Sequence, residues 1–429
     1  AIADTLRVEA QVIDAGRQPV HVVYGGAHLF SHETPAKLGR LALKAIAEYC
    51  PEPQYLAAIF GIEDNICNSV YEKIVAKLTT EPVEDLRIDF EDGYGYRSDQ
   101  EEDSHAESAA QHVVAGMSNN SLPPFLGIRI KPFSRESHSR AIRTLDIFLT
   151  SLIKDAGGKL PANFVITLPK IVSAEQVSAL ARVVAALESR LSLPAGVLRV
   201  ELMIETPQSI LTPKGEFALP TLVDAAGGRC VAAHFGAYDY TASLGIASEY
   251  QDMLSQACDF ARNVMKVSLS ETGIRVSDGA TNVMPVPPHR GKELTPEQKR
   301  ENLDTVRSAW RLHYAHCRHS LANGFYQGWD LHPAQLVSRY AAIYAFFLEG
   351  LPAASERLQN FIDKAAQATL VGNVFDDAAT GQGLLNYFVR AVGCGAITDE
   401  EALRHSGLSL DELRSGSFQK ILDRRSSNS

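Results

Sequence analysis

The chain has 429 residues, 45% hydrophobic and 21% charged, with a formal net charge of −10, enough apolar material for one large domain with an addition, or for two domains. An acidic balance without a clustered Lys/Arg stripe argues against a nucleic-acid or anionic-membrane partner and leaves small molecules as the expected ligands. Six cysteines, Cys50, Cys67, Cys230, Cys258, Cys317 and Cys394, lack CxxC spacing and sit mostly in apolar stretches, as in a reducing cytoplasm. The N-terminus shows no signal-peptide pattern, and no apolar run reaches the roughly 18–20 residues that span a bilayer.

In chain order, eight short β-rich runs alternate with amphipathic stretches. They are HVVYGG from His21, DLRIDFEDG from Asp85, FLGIRIKP from Phe125, NFVITLPK from Asn163, LRVELMIET from Leu198, CVAAHFGAYD from Cys230, GIRVSDG from Gly273 and GFYQGWDLHP from Gly324. Segments such as SAEQVSALARVVAALESRL between them carry helical periodicity. This alternation predicts a TIM (β/α)8 barrel over residues 1–336. An open doubly wound sheet is the alternative, but it would place a Gly-rich phosphate fingerprint after an early strand, and YGGAHLF is not GxGxxG. Long spacers after the first and seventh runs leave room for inserted helices or loops. From about Val337 the pattern is helical only, so a helical C-terminal extension is expected over 337–429, docked on its own barrel or on a neighbour's.

Active sites of this fold lie at the C-terminal ends of the strands, and those ends are polar here: Glu91 and Asp92, Arg129 and Lys131, Lys170, Glu205, Asp239, Asp278, and Asp330 with His332. Alternation along LRIDFE turns Leu86, Ile88 and Phe90 toward the outer helices and Arg87, Asp89 and Glu91 into the barrel. The same count sends Glu201, Met203 and Glu205 inward, and Arg129 with Gly127. Buried charges need partners, so Arg87, Asp89, Arg199 and Glu201 are expected to form an internal ion-pair network. Glu205 and Asp239, from neighbouring strands and without a Cys or His companion, are hard oxygen donors suited to Mg2+ with water and a substrate oxygen; a helix cap or a salt bridge is the plainer reading. Arg129 suits a substrate carboxylate or carbonyl oxygen, or else a core salt bridge. Gly236 and Ala237 lie in a turn whose amides could cradle a carboxylate, or serve turn geometry alone. His313, His316 and Cys317 lack the second ligand cluster that zinc would need, and no serine has a GxSxG context.

At these strand ends the chain resembles the superfamily of the citrate lyase β-subunit, malate synthase and HpcH/HpaI-type aldolases. The resemblance is carried in order by DFEDGYGYR, IRIKP, LPKI, ELMIET, FGAYDYTASLG and GWDLHPAQL. It implies that Glu205 and Asp239 hold Mg2+, that Arg129 polarises a 2-oxo substrate, and that Asp89 and Glu91 orient metal-bound water and neighbouring groups. NVFDDAATGQGLLNYF resembles the malate synthase segment of the form MEDAAT, which implies Asp377 as catalytic base; a helix N-cap is the plainer reading.

The implied activity is a Mg-dependent carbon–carbon lyase, or a Claisen-type condensing enzyme, acting on an acyl-CoA or other thioester and a 2-oxo acid. Two other readings stand beside it: a class II aldolase acting on pyruvate or a related oxo acid without a thioester, and a non-catalytic binding or regulatory subunit. The expected setting is cytoplasmic, with a homo-oligomer left open.

Overall fold

The computed structural model describes residues 17–291, 293–363, 369–371, 374–376, 378–414 and 421. Eight strands, β1 His21–Gly26, β2 Asp85–Asp89, β3 Phe125–Arg129, β4 Phe164–Leu168, β5 Arg199–Ile204, β6 Cys230–Phe235, β7 Arg275–Ala280 and β8 Gln327–Asp330, pair in chain order and close into a barrel. All the ladders are parallel, β8 returning to β1 through His21↔Gly328 and Val23↔Asp330. The expected TIM barrel is therefore the architecture, and each of the eight predicted runs holds one strand.

The connecting helices start and stop where local chemistry directs. The long spacer after β1 folds as α1 Thr34–Tyr49, α2 Gln54–Phe60 and α3 Asp64–Thr80. Further round the barrel come α4 Asp99–Asn119, α5 His138–Asp155, α6 Ala174–Arg190, α7 Pro207–Ile210, α8 Ala218–Ala225, α9 Ala237–Ser243, α10 Gln256–Leu269 and α11 Pro296–Ala322. Reciprocal capping boxes open α4 (Ser98 with Glu101), α6 (Ser173 with Gln176) and α11 (Thr295 with Gln298), each satisfying backbone donors that the first turn leaves unpaired. On α5 the buried positions Ala141, Leu145, Phe148, Leu149 and Leu152 recur at three- and four-residue spacing, the stripe that seats a helix on the sheet. Each fully buried Leu or Phe of this kind contributes about 1.5–3 kcal/mol.

Strand alternation divides the core into two layers. Leu86, Ile88, Ile128, Ile166, Leu168, Val200, Leu202 and Ile204 face outward into the apolar layer shared with the helices, leaving the other parity, with Arg87, Asp89, Arg129, Thr167, Glu201 and His234, inside the barrel.

Beyond β8, α12 Gln335–Asp363 is one continuous helix, followed by β9 Thr369–Val371, β10 Val374–Asp376, α13 Ala378–Gly393, α14 Asp399–Ser406 and α15 Leu410–Arg414. The expectation of helices alone is corrected here, because β9 and β10 form an antiparallel pair in register Val374↔Val371. Helix α13 docks at the end of the barrel where strands begin: Arg390 lies 5.0 Å over the Tyr326 ring, just before β8, and donates to Gln18, just before β1. Among the described residues no helix is long and apolar enough to cross a membrane, and all six cysteines are free thiols.

Candidate active site at the barrel mouth

The lower interior is a closed electrostatic network. Arg87 donates from Nε and Nη2 to the two oxygens of Glu201, at 3.0 and 2.6 Å, and from Nη1 to Asp85. Thr167 donates to Glu201 Oε1 at 2.7 Å, and His234 Nε2 lies 2.8 Å from Oε2. These charges neutralise one another out of water, so this layer is structural, as expected for Arg87 and Glu201. Arg199 is the exception: it stands exposed at the start of β5 and donates to Gly228 O at 3.1 Å, because the first residue of a strand lies at the rim and not in the interior.

One layer higher, Asp89 and Arg129 form a two-pronged pair, Nε to Oδ1 at 2.7 Å and Nη2 to Oδ2 at 2.5 Å. Asp89 also accepts the amides of Glu91 at 2.9 Å and Gly93 at 2.7 Å, so it orders the loop after β2 while fixing the guanidinium. The carboxylate beside Arg129 outweighs burial and holds that cation firmly charged. Its remaining nitrogen, Nη1, lies 3.2 Å from Glu91 Oε2 and has no hydrogen-bond partner.

At the mouth itself Glu205, buried directly after β5, accepts the Lys170 amide at 2.7 Å. Lys170 adopts a left-handed φ of 51°, which L-residues rarely take and which here accompanies an amide aimed at the carboxylate. The Lys170 ammonium meets Glu91 at 2.5 Å and both oxygens of Asp92 at 3.1 Å, and stands 3.8 Å from Asp239 Oδ1. Burial, and then the charge of Asp239, push the Glu205 carboxyl up to about 7, against the pull of Lys170 and Arg129. Burial also raises Glu91, while Asp92 is held low, against burial, by Glu91, Arg129 and Lys170.

Asp239 lies in the first turn of α9, four residues beyond the end of β6, the strand on which the sequence placed it. Gly236 caps that helix, and its amide donates to Ile204 O at 3.0 Å. The Gly236 amide is therefore not free to cradle a carboxylate, which corrects the expectation for Gly236 and leaves that for the Ala237 amide standing. What position 236 requires is the missing side chain, since a Cβ there would fall 2.5 Å from the Cβ of Glu205 and 2.6 Å from its Oε2. Two of the other polar strand ends face away from the mouth. Asp278 pairs with Arg262 of α10, and Asp330 with Arg339 of α12 and His313 of α11, all in the helix layer.

Residues 11–421 match the sequence model of a family described as a domain of unknown function, DUF6986. The chain belongs to that family. No curated protein matches this family member by sequence. Among solved structures it is similar to a citrate lyase from Burkholderia xenovorans LB400, with 18% identity, 90% of this chain and 95% of that one covered, and a TM-score of 0.57. It is also similar to the CitE protein of Mycobacterium tuberculosis in complex with magnesium, acetoacetate and coenzyme A, with 16% identity, coverage of 89% and 99%, and a TM-score of 0.50. At these identities the likeness shows a shared fold.

Of the residues singled out in this DUF6986 chain, the structure brings Asp89, Glu91, Arg129, Glu205, Gly236, Ala237 and Asp239 to one end of the barrel; Asp377 lies outside the described residues. Sequence reasoning passed over Lys170, which was visible only as one polar strand end among several. The donor set suits a hard divalent cation: two oxygen-only groups with no Cys or His beside them, one of them buried and destabilised by the charge of the other. Among the described residues no cluster of three or more ligating side chains is poised for an ion. The pair would therefore leave most of the coordination sphere to water and substrate, as Mg2+ commonly has it.

Proposed function

We propose that the protein is a Mg2+-dependent carbon–carbon lyase or Claisen-type condensing enzyme that acts on a CoA thioester and a 2-oxo acid. The observation that carries this reading is the buried carboxyl of Glu205 at the barrel mouth, accepting the Lys170 amide at 2.7 Å while the Lys170 ammonium stands 3.8 Å from the carboxylate of Asp239. It is supported by the ordered motifs and by the fold shared with a protein solved with magnesium, acetoacetate and coenzyme A.

Making or breaking a bond next to a carbonyl develops enolate charge, which needs fixed positive groups in a site sheltered from water. In this reading Glu205 and Asp239 hold Mg2+, which when bound supplies Lewis-acid polarisation of the oxo acid. Arg129, locked by Asp89, presents Nη1 to the substrate's oxygens. Lys170 keeps Glu91 and Asp92 neutralised and holds Glu205 in place through its amide. Asp377 acts as the base that moves the α-proton of the thioester. That aspartate serves the mouth of its own chain or of a neighbouring copy, and in the second case a homo-oligomer belongs to the reading. The division into a barrel over 1–336 and an extension over 337–429, and a cytoplasmic setting that suits free thiols, belong to it too.

Glu205→Gln and Asp239→Asn are expected to keep the fold by circular dichroism while losing calorimetric Mg2+ binding and at least about 100-fold of turnover. Turnover is screened over acyl-CoAs with glyoxylate, oxaloacetate and pyruvate by mass spectrometry. Wild-type turnover in both variants refutes the assignment. Turnover of an oxo acid without any thioester points to the class II aldolase, and absence of metal binding in the wild type points to a binding subunit.

A further inference from the structure

Two buried donor atoms near the mouth make no hydrogen bond: Arg129 Nη1 and Trp329 Nε1. They are neighbours. The guanidinium carbon of Arg129 sits 4.8 Å from the centroid of the Tyr24 ring and 5.5 Å from that of Trp329, and the two rings are 4.4 Å apart. Strand parity places Trp329 inside the barrel, opposite Val22 of β1 and Ala280 of β7, while Asp330 beside it turns outward to Arg339. One edge of the guanidinium is taken by Asp89, two aromatic rings lie beside its plane, and Nη1 faces Glu91 Oε2 at 3.2 Å and Asp92 Oδ2 at 3.8 Å without making a hydrogen bond.

The chain's other tryptophan shows the contrast. Trp310 is buried in the helix layer, and its Nε1 donates to Ala334 O at 2.7 Å. Burying an indole N–H without an acceptor is unfavourable, and such groups in folded proteins call for an explanation. Glu91 already brings a carboxylate oxygen to 3.2 Å from Arg129 Nη1 without completing a hydrogen bond. An anion is therefore tolerated at that corner, and an incoming carboxylate can take its place.

We infer that Trp329 is a substrate-binding residue, its indole N–H and Arg129 Nη1 together holding the carboxylate of the 2-oxo acid. The inference rests on the proposed reading of the site and adds to it a neutral donor on β8. The two donors belong to neighbouring groups, the guanidinium of Arg129 lying over the Trp329 ring, and in this inference they share one anionic group. Fixed rings hold the guanidinium plane before the ligand arrives, so little ordering remains for the binding step.

The test uses the full-length protein labelled with 15N, whose two tryptophans give two indole N–H resonances, assigned with Trp310→Phe and Trp329→Phe. Addition of pyruvate with Mg2+ is expected to move the Trp329 resonance downfield and leave that of Trp310 in place. Trp329→Phe retains an aromatic face but not the donor, and is expected to weaken calorimetric pyruvate binding roughly 10- to 100-fold, with Mg2+ affinity unchanged. Pyruvate binding that leaves the Trp329 resonance unmoved, or equal affinity in Trp329→Phe, overturns this inference and leaves the reading of the site intact. Mg2+ binding by the wild type without any binding of pyruvate, glyoxylate or oxaloacetate overturns both. Because the resonance shift is read in the wild type, a Trp329→Phe chain that fails to fold does not remove the test.

Discussion

Glu205 depends on an atom that is absent. With φ at −104°, Gly236 adopts a backbone conformation open to other residues, so its requirement is one of space. Gly236→Ala would drive a methyl into the carboxylate that faces Asp239, and cores respond to such overpacking with losses of about 1–3 kcal/mol. The expected outcome is that loss in urea unfolding, together with weakened Mg2+ binding as the Glu205 oxygens are displaced; unchanged values for both would show that the loop yields freely. The same logic applies at Gly93, where a Cβ would come 2.6 Å from Asp89 Oδ2 and disturb the pair that holds Arg129. Glu205, Asp239 and Arg129 were legible from the sequence because charged groups at strand ends stand out against an alternating apolar pattern. The restraint on position 236 was not, because it depends on a loop from β6 closing over the residue that follows β5.

At the scale of one element, β8 shows how closely placed polar residues come to serve different layers. Trp329 points into the barrel, whereas Asp330 points out, accepting from Arg339 Nη2 at 2.8 Å and lying 3.0 Å from His313 Nε2. Although burial pushes the other way, Arg339 and His313 hold the Asp330 carboxyl well below the usual carboxylate range. A depressed carboxylate stabilises the fold above its ordinary pKa, and that contribution drains away as pH falls toward the folded value. Asp330→Asn should therefore cost about 3–5 kcal/mol at neutral pH, because it strands a buried guanidinium. It should also flatten the decline of stability below about pH 4. Urea midpoints measured from pH 3 to 7 check both, and a variant with wild-type acid sensitivity would remove Asp330 from the account. The sequence marked Asp330 as a polar strand end, but its partners lie on helices that only packing brings alongside.

For the whole molecule, the decisive feature is where the C-terminal helices dock. Leu385, Phe388 and Ala391 of α13 are fully buried and Tyr387 donates to Phe347 O, so α13 is bound to its own barrel through α12 at the end remote from the mouth. If Asp377 serves a neighbouring mouth, Asp377→Asn and Glu205→Gln are each inactive, yet mixing and reassembling them restores a fraction of wild-type turnover by uniting an intact mouth with an intact aspartate. Failure to complement, in oligomers shown by light scattering to have exchanged subunits, assigns Asp377 to its own chain or to a capping role. The β9–β10 pair in this region escaped a reading based on helical periodicity. Its strands are three residues each, too short for a period to register, although Gly372-Asn373 between Val371 and Val374 is a hairpin signal in the sequence.

What the sequence determined by itself is local in origin: eight strands from eight β-rich runs, helix starts from capping residues, and an inward set of acids and bases from the two-residue period of a strand. Tertiary structure alone decided which charges meet. Arg87 reaches Glu201 across the barrel, Lys170 turns its amide to Glu205 and its ammonium to Glu91, Asp278 and Asp330 face the helices, and Arg129 lies against Tyr24 and Trp329. Periodicity assigns a face to each residue; partners separated by tens to hundreds of positions are chosen only when the barrel closes and burial makes each unpaired charge costly.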